Sequence, residues 1–477
     1  MNLWMFYGKH FDCEASFVTL YEYVDGIRDK RIAVIGLGVS NMPLIELLCS
    51  RGCQVTACDK RTFDQLGESG RHLRELGVAF SLGENYLEGL DHDLIFRAPS
   101  LMPFEPHLEA AKARGSIITS EMEVFMSLCP CRMIAVTGSD GKTTTSTIIA
   151  ELLKAAGYTV HLGGNIGHPL LCDTPEIKAE DVAVLELSSF QLHSTPCAPD
   201  IAVITNISPN HLDIHKDFQD YVDAKKNIFI AQKPVSRLVL NMDDEYSRYF
   251  ASSAKADIQW FSDKSPVSDG AMLRDGTIYR VSGGTERKVM DASDIFLPGE
   301  HNVLNYLTAF AALDGIVGDE VCASVAKSFG GVEHRLETVR VLHGVTYIND
   351  SIGTSPTRTS AGLRAMRTKP IVIAGGYDKH IPFDSLGDDL CQLAKKVFLT
   401  GDTAAKIEEA IYASPYYKDS GLTVRVIDDF AAAVLEASAS AKSGDIVLLS
   451  PACAAFDKFK NFSERGMFFK SIVNGLK

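Results

Sequence analysis

The chain has 477 residues, more than one hydrophobic core usually serves, so we expect two to four domains. Its 47 lysines and arginines stand against 61 aspartates and glutamates, and the net charge of −14 argues against nonspecific nucleic-acid binding through a basic surface. Eleven cysteines without a Cys-x-x-Cys pair favour reduced thiols in the cytoplasm, and no apolar run is long enough for a membrane span.

The first predicted domain covers residues 1–120 and has an α/β pattern. After an extension over residues 1–30, to which the pattern assigns no role, Arg31–Ile35 is a buried strand that opens into Gly36-Leu37-Gly38. A nucleotide-binding loop would have a third glycine at position 41, where this chain has asparagine. The turn therefore suits either a dinucleotide site or a plain tight turn.

Charged residues follow the second strand of this domain. Residues 54–59 form that strand, which ends at Asp59 and is followed by Lys60 and Arg61. An acidic side chain at this position can bind a ribose or a base, and the two cations can bind phosphate. A uridine diphosphate group would also use such a pocket.

A variant phosphate-binding loop lies in the second predicted domain, over residues 121–331. The strand Met133–Val136 runs into Thr137, Gly138, Ser139, Asp140, Gly141, Lys142, Thr143, Thr144 and Thr145. Such a loop offers backbone N–H groups and a lysine to phosphates, and a hydroxyl to Mg²⁺. Val136 replaces the usual glycine five positions before Gly141. A glycine turn without a ligand would require neither the lysine nor the threonine.

Three polar residues downstream are candidates for a metal site. Glu186 ends a buried strand, where a carboxylate must be paired or bound to a metal such as Mg²⁺, unless it caps the next helix. His211 follows another strand end and is either a metal ligand or an ordinary loop histidine. Lys225 by itself indicates only a lysine on a helix surface.

The rest of this domain carries two weaker patterns. Residues 260–288 are polar and rich in strand formers, with turn signals at Asp275-Gly276 and Gly283-Gly284, which predicts an antiparallel insertion. Asn305 shares a helix face with His301 and Asn302. This face contacts a nucleotide or caps the helix.

The third predicted domain covers residues 332–477. Its predicted strands are residues 370–374, 396–399 and 445–449. Arg335 lies at the start of this domain, where an arginine can reach a transferring phosphate or form an ordinary interdomain salt bridge.

Taken in order, these blocks resemble the Mur ligases over about residues 31 to 470. The blocks that carry the resemblance are residues 137–145, 164–167, 185–192, 205–213, 301–305, 333–337, 349–351, 375–379 and 449–454. Most of them are shared across the family. The last three are typical of the branch that adds D-glutamate.

The resemblance implies an α/β fold of three domains: a Rossmann-like N-terminal domain for a UDP-linked substrate, a central P-loop ATPase-like domain and a C-terminal Rossmann-like domain for an amino acid. It implies a cytoplasmic monomer that takes ATP, UDP-N-acetylmuramoyl-L-alanine and D-glutamate, with two Mg²⁺ ions and without nucleic-acid or membrane partners. The implied reaction forms a peptide bond through an acyl phosphate.

The resemblance also implies roles for single residues. The implied ATP-binding residues are Gly138, Ser139, Asp140, Gly141, Lys142, Thr143, Thr144, Asn305, Arg335 and Asp350. The implied catalytic residues are Lys142, His211, Lys225 and Arg335, and the implied metal ligands are Thr143, Glu186, His211 and a carbamylated Lys225. The implied substrate-binding residues are Gly38, Val39, Ser40, Asp59, Lys60, Arg61, Asn165, Ser188, His211, Thr354, Lys379, Ala455 and Phe462. A carbamate would explain how a lysine could bind Mg²⁺, because an ammonium group cannot.

The chain departs from the familiar family pattern at three places. Ile352-Gly353 replaces a Lys-Ala pair, Ala455 replaces a serine that helps to hold the glutamate side chain, and Arg97-Ala98-Pro99-Ser100 replaces a Ser-Pro-Gly turn. The first two changes bear on contacts to the amino acid, and the third bears on contacts to phosphate or uracil.

Two other functions are compatible with parts of the sequence. One is a Mur-type ligase that adds L-alanine, a diamino acid or a glutamyl tail. The other is a nicotinamide-dependent oxidoreductase or a nucleotide sensor built on Gly36-Leu37-Gly38. That second function leaves Lys142, Glu186, His211 and Arg335 without a role.

Overall fold

Each predicted α/β region forms a sheet of its own. The computed structural model describes residues 18–209, 214–297, 299–364, 366, 368–379 and 381–477. Over these residues the strands form sheets of five, nine and six strands. The chain divides into two compact units, residues 1–327 with the first two sheets and residues 328–477 with the third. The predicted boundaries after residues 120 and 331 stay predictions.

The first sheet is parallel, with the strand order β3-β2-β1-β4-β5. Its strands are β1 (Arg31–Ile35), β2 (Gln54–Asp59), β3 (Ala79–Leu82), β4 (Leu94–Phe96) and β5 (Ile117–Thr119). The helices of this region are α1 (Leu20–Gly26), α2 (Asn41–Ser50), α3 (Phe63–Glu75), α4 (Pro106–Ala113) and α5 (Glu121–Leu128). The strand order reverses between β1 and β4, and the crevice at such a point is where α/β sheets bind ligands.

The second sheet has the order β14-β13-β12-β11-β10-β9-β6-β8-β7. Its strands are β6 (Arg132–Thr137), β7 (Val160–Gly164), β8 (Val182–Glu186), β9 (Ile201–Ile204), β10 (Arg237–Asn241), β11 (Asp257–Ser262), β12 (Gly270–Arg274), β13 (Thr277–Ser282) and β14 (Thr285–Asp291). Its helices are α6 (Lys142–Ala155), α7 (Ser189–Leu192), α8 (Phe218–Lys226), α9 (Glu245–Ala251), α10 (Glu300–Ala312) and α11 (Asp319–Ser328). Two 3₁₀ segments cover Leu171–Glu176 and Ala292–Asp294.

The predicted antiparallel insertion is only partly correct. Strands β12, β13 and β14 are antiparallel, and their turns lie at the predicted Asp275-Gly276 and Gly283-Gly284 pairs. Trp260, however, lies in β11, which pairs in parallel with both β10 and β12. The segment therefore extends the central sheet, because the edge of β10 offers β11 a complete set of backbone partners.

The third sheet belongs to the second unit and has the order β15-β16-β20-β17-β18-β19, with only β15 antiparallel. Its strands are β15 (Glu337–Leu342), β16 (Val345–Asn349), β17 (Ile371–Ala374), β18 (Lys396–Leu399), β19 (Thr423–Val426) and β20 (Ile446–Leu449). Its helices are α12 (Pro356–Arg364), α13 (Asp384–Leu393), α14 (Ala404–Ala413), α15 (Tyr417–Ser420), α16 (Phe430–Ala439) and α17 (Phe462–Gly475). Among the described helices, none combines the length and the apolar character that a bilayer crossing requires.

One continuous apolar core explains why the first two sheets share a unit. Buried side chains of β1 and β4, such as Val34 and Phe96, belong to the same cluster as Phe125 of α5 and Leu185 of β8. Helix α5 thus packs between the two sheets. We infer that this shared burial fixes the first sheet relative to the phosphate-binding loop.

A buried arginine joins the antiparallel end of the second sheet to the helices behind it. The Arg280 guanidinium, 1% exposed, donates to the carbonyl oxygens of Phe310 (3.0 Å) and Val317 (2.7 Å) and to Asp319 (2.8 Å). These bonds satisfy groups at the end of α10 and the start of α11.

Replacing this arginine should therefore destabilise the first unit. We expect Arg280→Met to lower the free energy of unfolding by about 3–5 kcal/mol, because two buried carbonyls lose their donor and Asp319 keeps only its bond from Arg287. The exposed Arg274 of β12, which pairs with Glu286 of β14 across the intervening β13, is the matched control, and Arg274→Met should leave the unfolding midpoint nearly unchanged. Urea unfolding followed by tryptophan fluorescence measures both variants. Equal midpoints for the two variants would contradict this account.

Candidate active site

The phosphate-binding loop lies where three parallel strands end together. Strand β6 is flanked by β8 and β9, and the register pairs Val136 with Glu186 and Thr137 with Ile204. The loop after β6, the turn after β8 and the segment after β9 therefore meet at one edge of the sheet. The polar residues that the sequence places after each strand are brought together by this register.

Two loop positions accept only glycine. Gly138 has φ 145°, and a Cβ there would lie 1.9 Å from Thr205 Oγ1. Gly141 has φ 78°, and its Cβ would lie 2.5 Å from Asn305 Oδ1. The short glycine spacing is therefore explained by the close approach of β9 and α10 to the loop.

Residues after β9 hold the loop in shape. Thr205 Oγ1 donates to the Asp140 carbonyl (2.6 Å), while the Asp140 N–H donates to Asn206 Oδ1 (3.0 Å) and Asn206 Nδ2 donates back to that carbonyl (3.1 Å). Ser139 Oγ donates to the Ser208 carbonyl (2.9 Å). Both residues belong to the block 205–213 that the sequence analysis identified, although it assigned neither of them a role of its own.

The helix that follows the loop begins directly after a glycine. Gly141 is the N-cap of α6 and has no side chain with which to cap it. Lys142, Thr143 and Thr144 form its first turn, and backbone N–H groups of such a turn attract phosphate. Asn305 lies beside this turn and accepts from Thr145 Oγ1 (3.2 Å) and donates to Asn302 Oδ1 (3.1 Å). The predicted Asn302–Asn305 face thus contacts the start of α6.

Two lysine ammonium groups lie against the same loop carbonyl. Lys142 Nζ donates to the carbonyl oxygens of Gly138 and Ser139, both at 2.9 Å. Lys225 Nζ donates to the Gly138 carbonyl (2.8 Å) and to Thr137 Oγ1 (3.2 Å). Lys225 of α8 is therefore buried against the loop, 1% exposed, and the indication of a helix-surface lysine is wrong. Its side chain points inward because Tyr221, one turn earlier, lies under the ammonium at 4.7 Å.

The environment of Lys225 disfavours its charge. Burial lowers the pKa of Lys225 well below its usual range, and repulsion from Lys142 lowers that pKa further. The Lys142 ammonium, which contacts the same carbonyl, creates a positive potential at the loop. Such a potential favours a polyanion or conversion of the amine to an anionic group.

Glu186 has one satisfied and one unsatisfied oxygen. The carboxylate is 1% exposed; its Oε1 accepts from Asn165 Nδ2 (2.8 Å), and its Oε2 has no hydrogen-bond partner among the described residues. The Asn165 N–H also donates to the Glu186 carbonyl (2.8 Å). An unsatisfied buried carboxylate oxygen beside a phosphate loop fits a divalent cation, because Mg²⁺ prefers oxygen ligands. The alternative of a helix cap for Glu186 is wrong, since Ser188 caps α7.

Ser188 and His211 are also among the predicted site residues. Ser188 Oγ accepts from the Gln191 N–H (3.2 Å) and donates to Gln191 Oε1 (2.9 Å), as part of that helix cap. His211, predicted as a metal ligand and as a substrate contact, lies outside the described residues.

Asn41 replaces the third glycine of the first-domain loop and closes the turn in its own way. Its Nδ2 donates to the carbonyl oxygens of Ile35 (3.0 Å) and Gly36 (2.9 Å), and the side chain is buried. Gly38, Val39 and Ser40 form the exposed part of this turn, and Val39 is 78% exposed. A buried amide thus stabilises a tight turn that lacks the third glycine.

Asp59 organises the same turn. Its Oδ2 accepts from the Leu37 N–H (2.8 Å), and both oxygens accept from the Arg61 guanidinium, which also donates to the Leu37 carbonyl. Burial raises the pKa of Asp59, but the bonds from Arg61 and from the backbone outweigh that effect and lower the pKa to about 2. Lys60 is exposed. Of the predicted pocket residues, Asp59 and Arg61 are therefore paired with each other.

Arg97, the first residue of the segment that replaces the usual Ser-Pro-Gly turn, connects the first two sheets. Its guanidinium is 1% exposed and donates to the carbonyl oxygens of Leu101 (3.0 Å) and Phe190 (3.2 Å) and to Ser194 Oγ (2.9 Å). Glu123 of α5 lies 3.6 Å away. The substitution thus fixes the end of β4 to the segment that follows β8.

The second unit contains the remaining predicted residues. Lys379 Nζ donates to the Thr354 carbonyl (3.3 Å), so these two predicted amino-acid contacts are neighbours. Arg335 is exposed and stands between His334 and Leu336, which have φ of 63° and 43°. Two left-handed residues fix this backbone, and such conformations are costly unless the surroundings hold them. Asn349 does so for His334, donating to its Nδ1 at 2.9 Å.

A buried arginine orders the loop that contains Ala455. The Arg465 guanidinium, 2% exposed, donates to the carbonyl oxygens of Cys453 (3.0 Å), Ala454 (3.1 Å) and Ser351 (3.0 Å). Ala455 itself is buried, and Phe462, the first residue of α17, is 37% exposed. Sequence reasoning missed Arg465, although an arginine within an otherwise apolar helix face was a signal.

Asp350 is a buried acid whose charge the second unit disfavours. Its Oδ2 accepts from Ser450 Oγ (2.7 Å), and its Oδ1 accepts from the Leu336 N–H (3.3 Å). Burial raises the pKa of Asp350 to about 6, against the lowering effect of these two bonds.

Comparison with known proteins gives consistent matches. The family model described as the Mur ligase middle domain matches residues 136–313, and the one described as the Mur ligase, glutamate ligase domain matches residues 334–453. A protein of Acetivibrio thermocellus named UDP-N-acetylmuramoylalanine--D-glutamate ligase is 48% identical over 461 residues, which is 96% of this chain and 99% of the relative. The protein of the same name from Ruminiclostridium cellulolyticum is 46% identical, with the same coverage.

Solved structures give the same fold at low sequence identity. A UDP-N-acetylmuramate-alanine ligase from Thermotoga maritima is 20% identical, with a TM-score of 0.53 over 94% of this chain and 100% of that one. A UDP-N-acetylmuramoyl-L-alanyl-D-glutamate--2,6-diaminopimelate ligase is 18% identical, with a TM-score of 0.52 over 93% of this chain and 92% of that one. These likenesses confirm the multidomain α/β fold.

The raised pKa of Asp350 predicts a pH-dependent second unit. The folded state holds this proton more tightly than the unfolded chain, so the contribution to stability is largest below about pH 4 and declines as the pH rises through about 6. We expect roughly 3 kcal/mol of difference across this window. Hydrogen exchange of β20, corrected for intrinsic rates, should show that decline in the wild type. Asp350→Asn should lack it, and parallel profiles for the two proteins would contradict the assignment.

Proposed function

The chain belongs to the Mur ligase family, and from that premise we propose that it joins D-glutamate to UDP-N-acetylmuramoyl-L-alanine. The enzyme is an ATP-dependent amide ligase of peptidoglycan precursor synthesis. The observation that carries the amino-acid assignment is the 48% identity, over 96% of the chain, to a relative named for D-glutamate ligation. Because the proposed reaction uses ATP and a nucleotide-linked substrate, we propose that it takes place in the cytoplasm. The expected monomer stays a prediction.

The proposed chemistry has two balanced steps. The alanyl carboxylate attacks the γ-phosphorus of ATP, which forms an acyl phosphate and releases ADP. The amine of D-glutamate then attacks the acyl carbon; the C–N bond forms, inorganic phosphate leaves, and the amine loses a proton. Both steps bring anions together, so catalysis depends mainly on positioning and on stabilisation of negative charge.

The residues around the phosphate loop suit that task. We assign Lys142 and the first-turn N–H groups of α6 to the ATP phosphates, because they form a cationic helix start that follows a glycine. Asn305 beside that turn is assigned to the nucleotide. Arg335 and Asp350 of the second unit keep their proposed nucleotide roles, and Arg335 supplies a cation for the transferring phosphate.

Metal binding is a separate part of the proposal. Thr143 and Glu186 would hold the first Mg²⁺, and the unsatisfied Glu186 Oε2 supports this choice. His211 and a carbamylated Lys225 would hold a second ion. When bound, the ions would offset charge on the phosphate oxygens. The buried, pKa-lowered amine of Lys225 is suited to react with CO₂, because only the neutral amine does so.

The proposed substrate contacts fall into three groups, one for each part of the substrates. Asn165 and Ser188 would contact the muramoyl-alanine part, and Gly38 to Ser40 with Asp59 to Arg61 the uridine diphosphate part. Lys379, Thr354, Ala455 and Phe462 would surround D-glutamate, and the 3.3 Å contact of Lys379 with Thr354 supports their grouping. The alternative function is addition of another amino acid by the same chemistry.

Phosphate release with single amino acids tests the substrate assignment. With UDP-N-acetylmuramoyl-L-alanine, ATP and Mg²⁺ present, we expect D-glutamate to stimulate phosphate release and L-alanine, L-glutamate and diaminopimelate to leave it at background. Mass spectrometry of the product should show one added glutamyl residue. Stimulation by another amino acid with D-glutamate inert would establish the alternative.

The carbamate assignment is tested by chemical rescue. Lys225→Ala should lose at least 100-fold in kcat, since a positioned ligand is lost, and millimolar acetate or formate should restore part of it. The neighbouring Lys226→Ala is the control, because that ammonium lies over Tyr249 at 5.7 Å, away from the loop. A fully active Lys225→Ala, or one that no carboxylate rescues, would show that Lys225 acts in another way.

A further inference from the structure

A buried, hydrogen-bonded histidine contacts the segments that carry two of the predicted metal ligands and has no role in the proposed reaction. His215 is 3% exposed, and both of its ring nitrogens have partners. Its Nδ1 lies 2.7 Å from Asp220 Oδ2, and its Nε2 lies 2.9 Å from Ser189 Oγ. The second oxygen of Asp220 lies 2.9 Å from His193 Nε2.

The partners of His215 belong to two different segments of the site. Ser189 begins α7, three residues after Glu186, and is 2% exposed. Asp220 lies in the first turn of α8, the helix that carries Lys225. His215 therefore joins the turn that follows one proposed metal ligand to the helix that bears another.

Ring packing extends this connection to the phosphate loop. The His215 ring stacks on Phe190 at 5.4 Å and meets the Tyr221 ring edge-on at 5.3 Å. Tyr221 OH lies 2.8 Å from Ser139 Oγ of the loop, and the Tyr221 ring lies under the Lys225 ammonium. Displacement of His215 would thus shift Tyr221, whose position sets both the loop hydroxyl and the buried lysine.

The pairing of His193, His215 and Asp220 with one another indicates that this cluster positions neighbouring parts of the site. His193, His215 and Asp220 lie close enough together for a metal, but the two nitrogens of His215 and Nε2 of His193 are already paired. Two imidazoles on one carboxylate also explain why hydrogen bonds from His215 and His193 lower the pKa of Asp220 although burial opposes them. A satisfied network of this kind holds its members in one geometry.

We propose that His215 is a positioning residue that holds the turn after β8, the helix bearing Lys225 and the phosphate loop in one fixed arrangement. The inference rests on the proposed function for the identity of the ligands that are positioned. Its effect should appear in kcat and in cation binding, because small displacements of reacting groups or metal ligands are costly.

Two conservative variants separate the contact of His215 with Asp220 from its contact with Ser189. His215→Asn keeps an amide near the Nδ1 position, facing Asp220, and loses Ser189; His215→Gln reaches the Nε2 position and loses Asp220. Ser189→Ala removes only the hydroxyl and serves if a His215 variant fails to fold. The control is His161→Gln, because His161 pairs with Asp181 at 2.9 Å at the opposite edge of the same sheet.

The readouts are kcat, the KM of the UDP-linked substrate, and Mn²⁺ affinity measured by electron paramagnetic resonance with a non-hydrolysable ATP analogue. We expect each His215 variant, and Ser189→Ala, to lower kcat and Mn²⁺ affinity about ten-fold or more, with KM changed less than three-fold. The control should stay within two-fold of the wild type in all three quantities.

Three results would overturn the proposal. They are a His215 or Ser189 variant within two-fold of the wild type, a loss of kcat with unchanged Mn²⁺ affinity, and an equal loss in His161→Gln. Failure of the proposed function is seen separately, as absence of D-glutamate-stimulated phosphate release in the wild type. In that case the Mn²⁺ measurement still tests the role of His215.

Discussion

The site depends on the parallel pairing of β6 with β8 on one side and with β9 on the other. Hydrogen bonds set this register, and it makes the ends of all three strands coincide. A loop, a carboxylate and a pair of polar residues then converge from positions about 70 residues apart in the chain. The close contact of Gly138 with Thr205 is a direct result, since a side chain on the loop would clash with the end of β9.

Charge is distributed unevenly around that edge of the sheet. Two ammonium groups share the Gly138 carbonyl, and nearby Glu186 keeps one buried oxygen without a hydrogen bond among the described residues. Neither arrangement is favourable for the protein alone, because buried charge is costly unless it is fully paired. Anionic phosphates and a divalent cation would relieve both, which is the physical reason for assigning ATP and Mg²⁺ to this place.

Buried arginines and amides compensate for departures from common patterns. The Asn41 side chain closes the first-domain turn by donating to the carbonyl oxygens of Ile35 and Gly36. Arg97 connects β4 to the segment after β8, and Arg465 joins two carbonyls of the loop before Ala455 to the carbonyl of Ser351. In each case a donor from a distant or neighbouring segment satisfies backbone groups that the local sequence leaves open.

The sequence by itself determined many of the buried parallel strands, the glycines of the phosphate loop and the family, because these depend on local periodicity and on residue types with few alternatives. It also indicated that Glu186 needs a partner. Only the tertiary structure decided that Lys225 is buried against Gly138, that β11 extends the central sheet and that Asp59 pairs with Arg61. The first two depend on which distant segments meet, and the third depends on the approach of Leu37, which bonds to both Asp59 and Arg61. Packing of the whole chain sets these contacts, and no single segment encodes them.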